Sequence, residues 1–240
     1  MIVIPMAGLS SRFFKEGYTL PKYMLEANGM SLFDHAVNSF KAYFDKEYFL
    51  FIVRDVYQTP AFVKQRAEAI GIKKFKVIVL DHETRGQAET VYFGLQQAKQ
   101  NKNDPITIFN IDTFRPNFIY PELKSLGDGY LEVFKGHGDN WSFIKPRSID
   151  SKEVIETAEK RAISDFCCTG LYHFARQQYF EDAFEHYIKL PKGMWEKGEL
   201  YIAPMYNYLI DNNYSIYYQL IERDEVIFCG TPTEYIEIIK

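Results

Sequence analysis

Along the first 110 residues, apolar positions come in short runs separated by stretches with helical spacing. IVIPMA (2–7), FLFIVR (49–54), FKVIVL (75–80) and ITIFNI (106–111) are largely apolar blocks of strand length. Continuous rather than alternating apolar character suits strands covered on both faces. Between the first two blocks, Phe33, Ala36, Val37 and Phe40 recur at helical intervals, and Ser31 stands where a cap is wanted. Thr59-Pro60 opens a second helix with proline in its first turn, and ETVYFGLQQAK (89–99) reads as a third. A strand–helix alternation repeated in this way predicts a parallel sheet with right-handed crossovers and helices on its faces.

Beyond residue 128 the texture changes. GYLEVF, WSFIK, KEVIETAEK and FCCTGLYHF are closely spaced strand-like segments, as in an antiparallel addition to a mixed sheet. Helical stretches follow at about 177–187 and 203–211, then SIYYQLI and EVIFC as late strands. Thr231, Pro232 and Glu234 form a capping-box signature at the start of a last helix. No linker, repeat or low-complexity tract interrupts the chain. The expected architecture is α/β, a Rossmann-like mixed and mainly parallel sheet, in one domain over 1–240. The change of texture divides it into residues 1–127 and 128–240.

Composition narrows the function classes. A net charge of −4 over 240 residues argues against a general nucleic-acid binder, while leaving room for a local anion site. No stretch reaches the length of a membrane span. The opening MIVIPMAG has no basic n-region, so no signal peptide is expected. Cys167, Cys168 and Cys229 show no metal-ligand spacing and read as buried thiols of a reducing compartment, which points to the cytoplasm. The 18 Tyr and 20 Phe leave room for a homo-oligomeric interface as well as for a bulky core.

Candidate chemistry gathers where strands end. MAGLSSRFFKEGYTLPK (6–22) leaves the first strand at its carboxyl end, where open parallel sheets bind ligands. Gly8 permits a positive φ and close backbone approach, and Ser10 and Ser11 add hydroxyl donors. Arg12 offers a planar fork for phosphate oxygens and Lys22 a mobile point charge. A solvated polar loop fits the same residue types. The segment is neither a Walker A loop nor a dinucleotide fingerprint. Asp112 ends ITIFNID at the same rim, where a carboxylate can hold Mg²⁺ together with substrate phosphates, or cap a turn. In DHETRGQAETV (81–91), Gly86 allows a tight turn and Gln87 carries the donor and acceptor that a base edge requires. A helix cap explains that segment equally well.

The order A-G-x-x-S-R…P-K, then T-R-G-Q-A-E-T, then a strand ending in Asp, resembles the sugar-1-phosphate nucleotidyltransferases of surface and capsular polysaccharide synthesis. WSFIK (141–145), Glu159-Lys160 within ETAEKRAIS, CTGLYHF (168–174) and GELYIAPMYNYLI (198–210) extend the resemblance over nearly the whole chain. It implies a GT-A-like fold that moves an NMP group from an NTP, a pyrimidine being favoured, to a small phosphorylated acceptor. It also implies roles. Ala7, Gly8, Ser10, Ser11 and Arg12 would wrap the triphosphate, and Lys22 would neutralise charge at the α-phosphate. Gly86 and Gln87 would meet the base, and Asp112 would hold Mg²⁺. Ser142, Glu159, Gly170, Tyr172 and Glu199 would line the acceptor pocket, and Lys160 would take the acceptor phosphate.

Two departures stand out. Ser10 occupies a place where the family usually has glycine. Phe228, in VIFCGT, stands where the family usually has a second metal-binding Asp, and phenylalanine cannot ligate Mg²⁺. Either Asp112 suffices with phosphate oxygens and water, or Asp224 or Glu225 swings in, or catalysis has been lost. The competing readings are a glycosyltransferase consuming a nucleotide sugar and a non-catalytic nucleotide-binding paralogue. Asn110-Ile111-Asp112, in place of an Asp-x-Asp motif, counts against the first.

Overall fold

A computed structural model describes residues 1–240. The chain begins with β1 (Ile2–Pro5), a short helix α1 (Ser11–Lys15), a hairpin of β2 (Glu26–Ala27) and β3 (Met30–Ser31), and α2 (Leu32–Asn38). It continues through β4 (Phe49–Arg54), α3 (Thr59–Ala69), β5 (Phe75–Leu80), α4 (Gln87–Ala98), β6 (Ile106–Phe109) and β7 (Thr113–Phe114). Four strands follow: β8 (Gly129–Lys135), β9 (Ser142–Pro146), β10 (Val154–Glu159) and β11 (Phe166–Phe174). The end comprises α5 (Gln177–Tyr187), α6 (Met205–Asp211), β12 (Ile216–Ile221), β13 (Ile227–Phe228) and α7 (Pro232–Ile238).

Nine strands form one mixed sheet in the order β10-β9-β11-β6-β1-β4-β5, with β8 on β11 and β12 on β8. The early strands β6, β1, β4 and β5 are parallel, as the alternation predicts. β11 is antiparallel to β6, β8 and β9. The late strand β12, whose orientation the sequence leaves open, runs parallel to β8, paired from Ile216↔Gly129 to Ile221↔Phe134. Strands β9 to β11 and helices α5 and α6 separate β8 from β12 in the chain, so no tight hairpin links the two, and so long a connection can bring them together in parallel.

Strand residues alternate between two cores, one on each face. Val3, Leu50, Ile52, Ile106 and Ile108 pack with α4, α5 and α6. Ile2, Ile4, Phe49, Phe51 and Phe109 pack with α2 and α3. The period of two along a strand explains the division, and helices on both sides explain why the runs read as continuously apolar. Fully buried Phe49 and Phe51 each contribute about 1.5–3 kcal/mol relative to exposure. Ser31 and Thr231 cap α2 and α7 through complete capping boxes. The three cysteines are buried free thiols, and no helix is long and apolar enough to cross a membrane.

Candidate active site

The strand order reverses between β1 and β6. The chain leaves β1 toward β4 on one side, while β6 lies on the other and leads toward β11. In open α/β sheets such a reversal leaves a crevice beyond the carboxyl ends of the two strands. A cavity of about 970 Å³ lies there. Its walls come from the segments following β1, β5 and β6, from β9 to β11, and from residues 198–202 and 228–234.

Ala7, Gly8, Ser10, Ser11, Arg12 and Lys22 all line one end. The expected left-handed backbone is found two residues beyond Gly8. Ser10 has φ 51° and ψ 31°, whereas Gly8 keeps a negative φ. Arg12 forms no ion pair and is exposed at the rim. Lys22 Nζ donates to Asp112 Oδ2 at 2.5 Å across the crevice. The surrounding protein desolvates Asp112, which alone would raise its pKa. The Lys22 charge and hydrogen bond outweigh this and hold the carboxyl below the usual carboxylate range.

Gly86 and Gln87 line the cavity at the start of α4. Gln87 Nε2 donates to Asn110 Oδ1 at 2.5 Å, so this amide is held by the residue that follows β6. Asn110 enters the sequence reading only as the residue that breaks an Asp-x-Asp motif; its place beside Gln87 comes from the sheet. Arg85 is fixed by buried Glu89, which accepts from its backbone N–H at 2.6 Å and from Nε at 2.9 Å. Two main-chain bonds then join this loop to residue 200: Leu200 N–H donates to Arg85 O at 2.8 Å, and Ala88 N–H to Leu200 O at 2.9 Å. Gly86 lies between them at φ 143°, and a Cβ there would stand 2.5 Å from Leu200 O. Gly86→Ala is therefore expected to push the two loops apart, costing about 1–3 kcal/mol of stability and weakening nucleotide binding. Thermal unfolding and NTP titration check this.

Toward the other end, Ser142 begins β9 and Glu159 ends β10, paired across the ladder. Ser142 Oγ donates to Glu159 Oε2 and lies 3.2 Å from the Tyr172 hydroxyl. Burial pushes the Glu159 carboxyl up, and the Ser142 hydrogen bond and the Lys160 charge only partly offset this. Gly170 marks the register shift in β11. At φ 96°, it leaves the space in which Asn110 Nδ2 sits, 2.5 Å from where a Cβ would be. Glu199 lines this end, beside Tyr201. Lys160 does not line the cavity. It reaches the Tyr201 hydroxyl, with Nζ 4.2 Å from that ring's centroid, and lies 3.9 Å from Glu159 Oε1. Tyr201 is thus the side chain through which Lys160 borders the site; it lies within GELYIAPMYNYLI, where the sequence reading assigns a role to Glu199 alone.

Phe228 lines the cavity but turns into an aromatic wall, 4.6 Å from Trp141 and 5.3 Å from Phe134 between ring centroids. The guanidinium of Arg223 is 5.0 Å from the Phe228 centroid. Neither Asp224 nor Glu225 lines the cavity. Glu225 caps the turn at Glu222 and lies near buried Arg115, which holds Glu132 at 2.8 Å and the Glu225 carbonyl at 2.6 Å. The acid that does approach is Glu234. Asp112 Oδ2 and Glu234 Oε2 lie 3.2 and 3.7 Å from the point where a Gly230 Cβ would sit. Gly230 thus leaves a gap flanked by two carboxylates whose nearer oxygens already accept from Lys22 and from Thr231; a hard divalent cation takes one or two carboxylates of this kind together with substrate phosphates.

No protein-family model matches the chain, and no curated protein does. Solved structures do. A nucleoside-diphosphate-sugar pyrophosphorylase from Vibrio cholerae is 58% identical, with a TM-score of 0.96, over 100% of this chain and 99% of that one. A UDP-glucose pyrophosphorylase complexed with UDP-glucose superposes with a TM-score of 0.73 at 16% identity, over 99% of this chain and 96% of that one. The inositol-1-phosphate CTP transferase of T. maritima does so with 0.73 at 12% identity, over 97% and 90%. The latter two share the fold.

Proposed function

This chain belongs to the nucleoside-diphosphate-sugar pyrophosphorylase family, and from that premise we propose that its crevice joins an NTP to a sugar 1-phosphate or similar small phosphorylated acceptor. The observation that carries the reading is the Lys22–Asp112 contact, set between a loop able to wrap phosphates and a pocket lined by Glu159, Ser142 and Tyr172. An acceptor phosphate oxygen attacks the α-phosphorus in line. A new P–O bond forms as the bond to the β-phosphate oxygen breaks, and pyrophosphate leaves with that electron pair. Phosphate is nucleophilic at neutral pH, so the chain supplies positioning and charge neutralisation rather than a general base.

In this reading the main-chain amides of residues 8–11 and the Ser11 hydroxyl bind the triphosphate, and Arg12 and Lys22 compensate its charge. Gln87, fixed by Asn110, meets the base, with a pyrimidine as the favoured one. Mg²⁺ would be held by Asp112 with Glu234 nearby, and when bound it would screen the phosphate oxygens. The same reading places the enzyme in the cytoplasm, supplying activated precursors for surface polysaccharide.

Glu159 gives the acceptor site a pH signature. Its pKa is raised, so it keeps its proton to higher pH than a free glutamate. A carboxylate accepting acceptor hydroxyls then forms only as pH rises through that raised value. The KM for acceptor is expected to fall over this interval, and the dependence to vanish in Glu159→Gln, with the KM for NTP unchanged. The function itself is tested by incubating NTPs with a panel of phosphorylated acceptors. Pyrophosphate release that requires both substrates supports it. Release of NDP from a nucleotide sugar would identify a glycosyltransferase, and binding without turnover a non-catalytic paralogue.

A further inference from the structure

Lys22 opens a 3-10 turn (Lys22–Met24) directly after Pro21, so its backbone N–H has no partner within the turn. The partner comes from twelve residues upstream: Ser10 Oγ accepts that N–H at 3.1 Å. Ser10 stands in the left-handed region, which strains a residue with a Cβ and which glycine would occupy freely. Its hydroxyl does not cap the helix that follows, although its carbonyl accepts from Phe13 N at 2.9 Å and Phe14 N at 3.2 Å. Strain of this kind persists where the surroundings require the geometry. What the side chain gains here is the main chain of Lys22, whose ammonium reaches Asp112 at 2.5 Å.

We infer that Ser10 is a positioning residue: its hydroxyl fixes the Lys22 backbone, and through it the ammonium opposite Asp112. The inference rests on the catalytic reading of Lys22 and assigns the Ser10 hydroxyl to the lysine rather than to a phosphate. A stability role and a positioning role give opposite signs for Ser10→Gly, because glycine relieves the φ strain and deletes the anchor together.

The test compares Ser10→Gly and Ser10→Ala, alone and combined with Lys22→Met. Ser10→Gly is expected to keep or raise Tm and to leave the KM for NTP within about twofold, while kcat falls about tenfold, as a small misplacement of a reacting group does. Ser10→Ala keeps the strain and loses the anchor, so kcat falls with an unchanged or lower Tm. In the Lys22→Met background, either substitution is expected to add less than about twofold to the loss, because residues acting as one unit are not additive. Wild-type kcat in Ser10→Gly overturns the inference and leaves the role of Lys22 standing. A raised KM for NTP with unchanged kcat also overturns it, by assigning the hydroxyl to the nucleotide. An undiminished loss in the Lys22→Met background does the same. Full activity in Lys22→Met alone overturns both this inference and the catalytic reading.

Discussion

Lys22→Met is expected to lower kcat by about 10²–10³-fold, the range found when one charged or hydrogen-bonding stabiliser of a transition state is removed. Methionine keeps much of the length and apolar stem of lysine, so packing beside the crevice survives, while Asp112 loses its partner and Tm falls modestly. The missing group is the ammonium 2.5 Å from Asp112, with only 20% of the lysine side chain exposed. In so shielded a place, water replaces the lost charge poorly. The KM for NTP is expected to rise less than kcat falls, because Arg12 and the loop amides still bind the ground-state triphosphate. Initial rates of pyrophosphate release across NTP concentrations, alongside thermal unfolding, separate the two effects. A kcat within threefold of the parent enzyme would remove Lys22 from the mechanism.

Asp112→Asn is the second large effect, expected to match or exceed the first in kcat. Asparagine preserves shape and the Lys22 hydrogen bond but removes the charge that would hold the cation. Mn²⁺ affinity, measured by titration in the presence of NTP, should fall with kcat. Unchanged Mn²⁺ affinity would dissociate Asp112 from the metal. The same substitution changes the acid response of the fold. The folded-state pKa of Asp112 lies below its unfolded value, so its contribution to stability is complete above the unfolded pKa and is lost as pH falls through the folded one. Asp112→Asn should therefore abolish a loss of stability confined to pH values below about 4.

Much of this fold is legible because its strands obey a simple rule. Buried on both faces, Ile2–Pro5 and Phe49–Arg54 read as solid apolar blocks, and α2 between them carries its own cap. Candidate residues at strand ends are legible for the same reason, since a parallel sheet presents all its carboxyl ends on one rim. The hidden parts depend on contacts distant in sequence. Nothing local indicates that Gln87 meets Asn110, that Lys160 lies behind Tyr201, or that β12 joins β8 in parallel. Glu234 reads as a cap, and it is one, accepting from Thr231 N at 2.9 Å. Only the path of the chain past Gly230 brings the same carboxylate toward Asp112. Phe228 shows where a sequence departure changes meaning in three dimensions: the ring that cannot bind a metal becomes part of a wall shared with Trp141.

The seam between residues 85–88 and Leu200 bears on how such an enzyme changes its preferences. It is made of main-chain atoms, so its hydrogen bonds do not depend on the chemistry of the side chains at Arg85, Ala88 or Leu200, although Ala88 and Leu200 are themselves packed in the core. Gly86 alone is constrained by it. Side chains facing the base and those facing the acceptor can therefore vary on their own schedules while the distance between the two rims stays constant. A lineage built on this frame can exchange one substrate at a time and still hold the reacting phosphates in register.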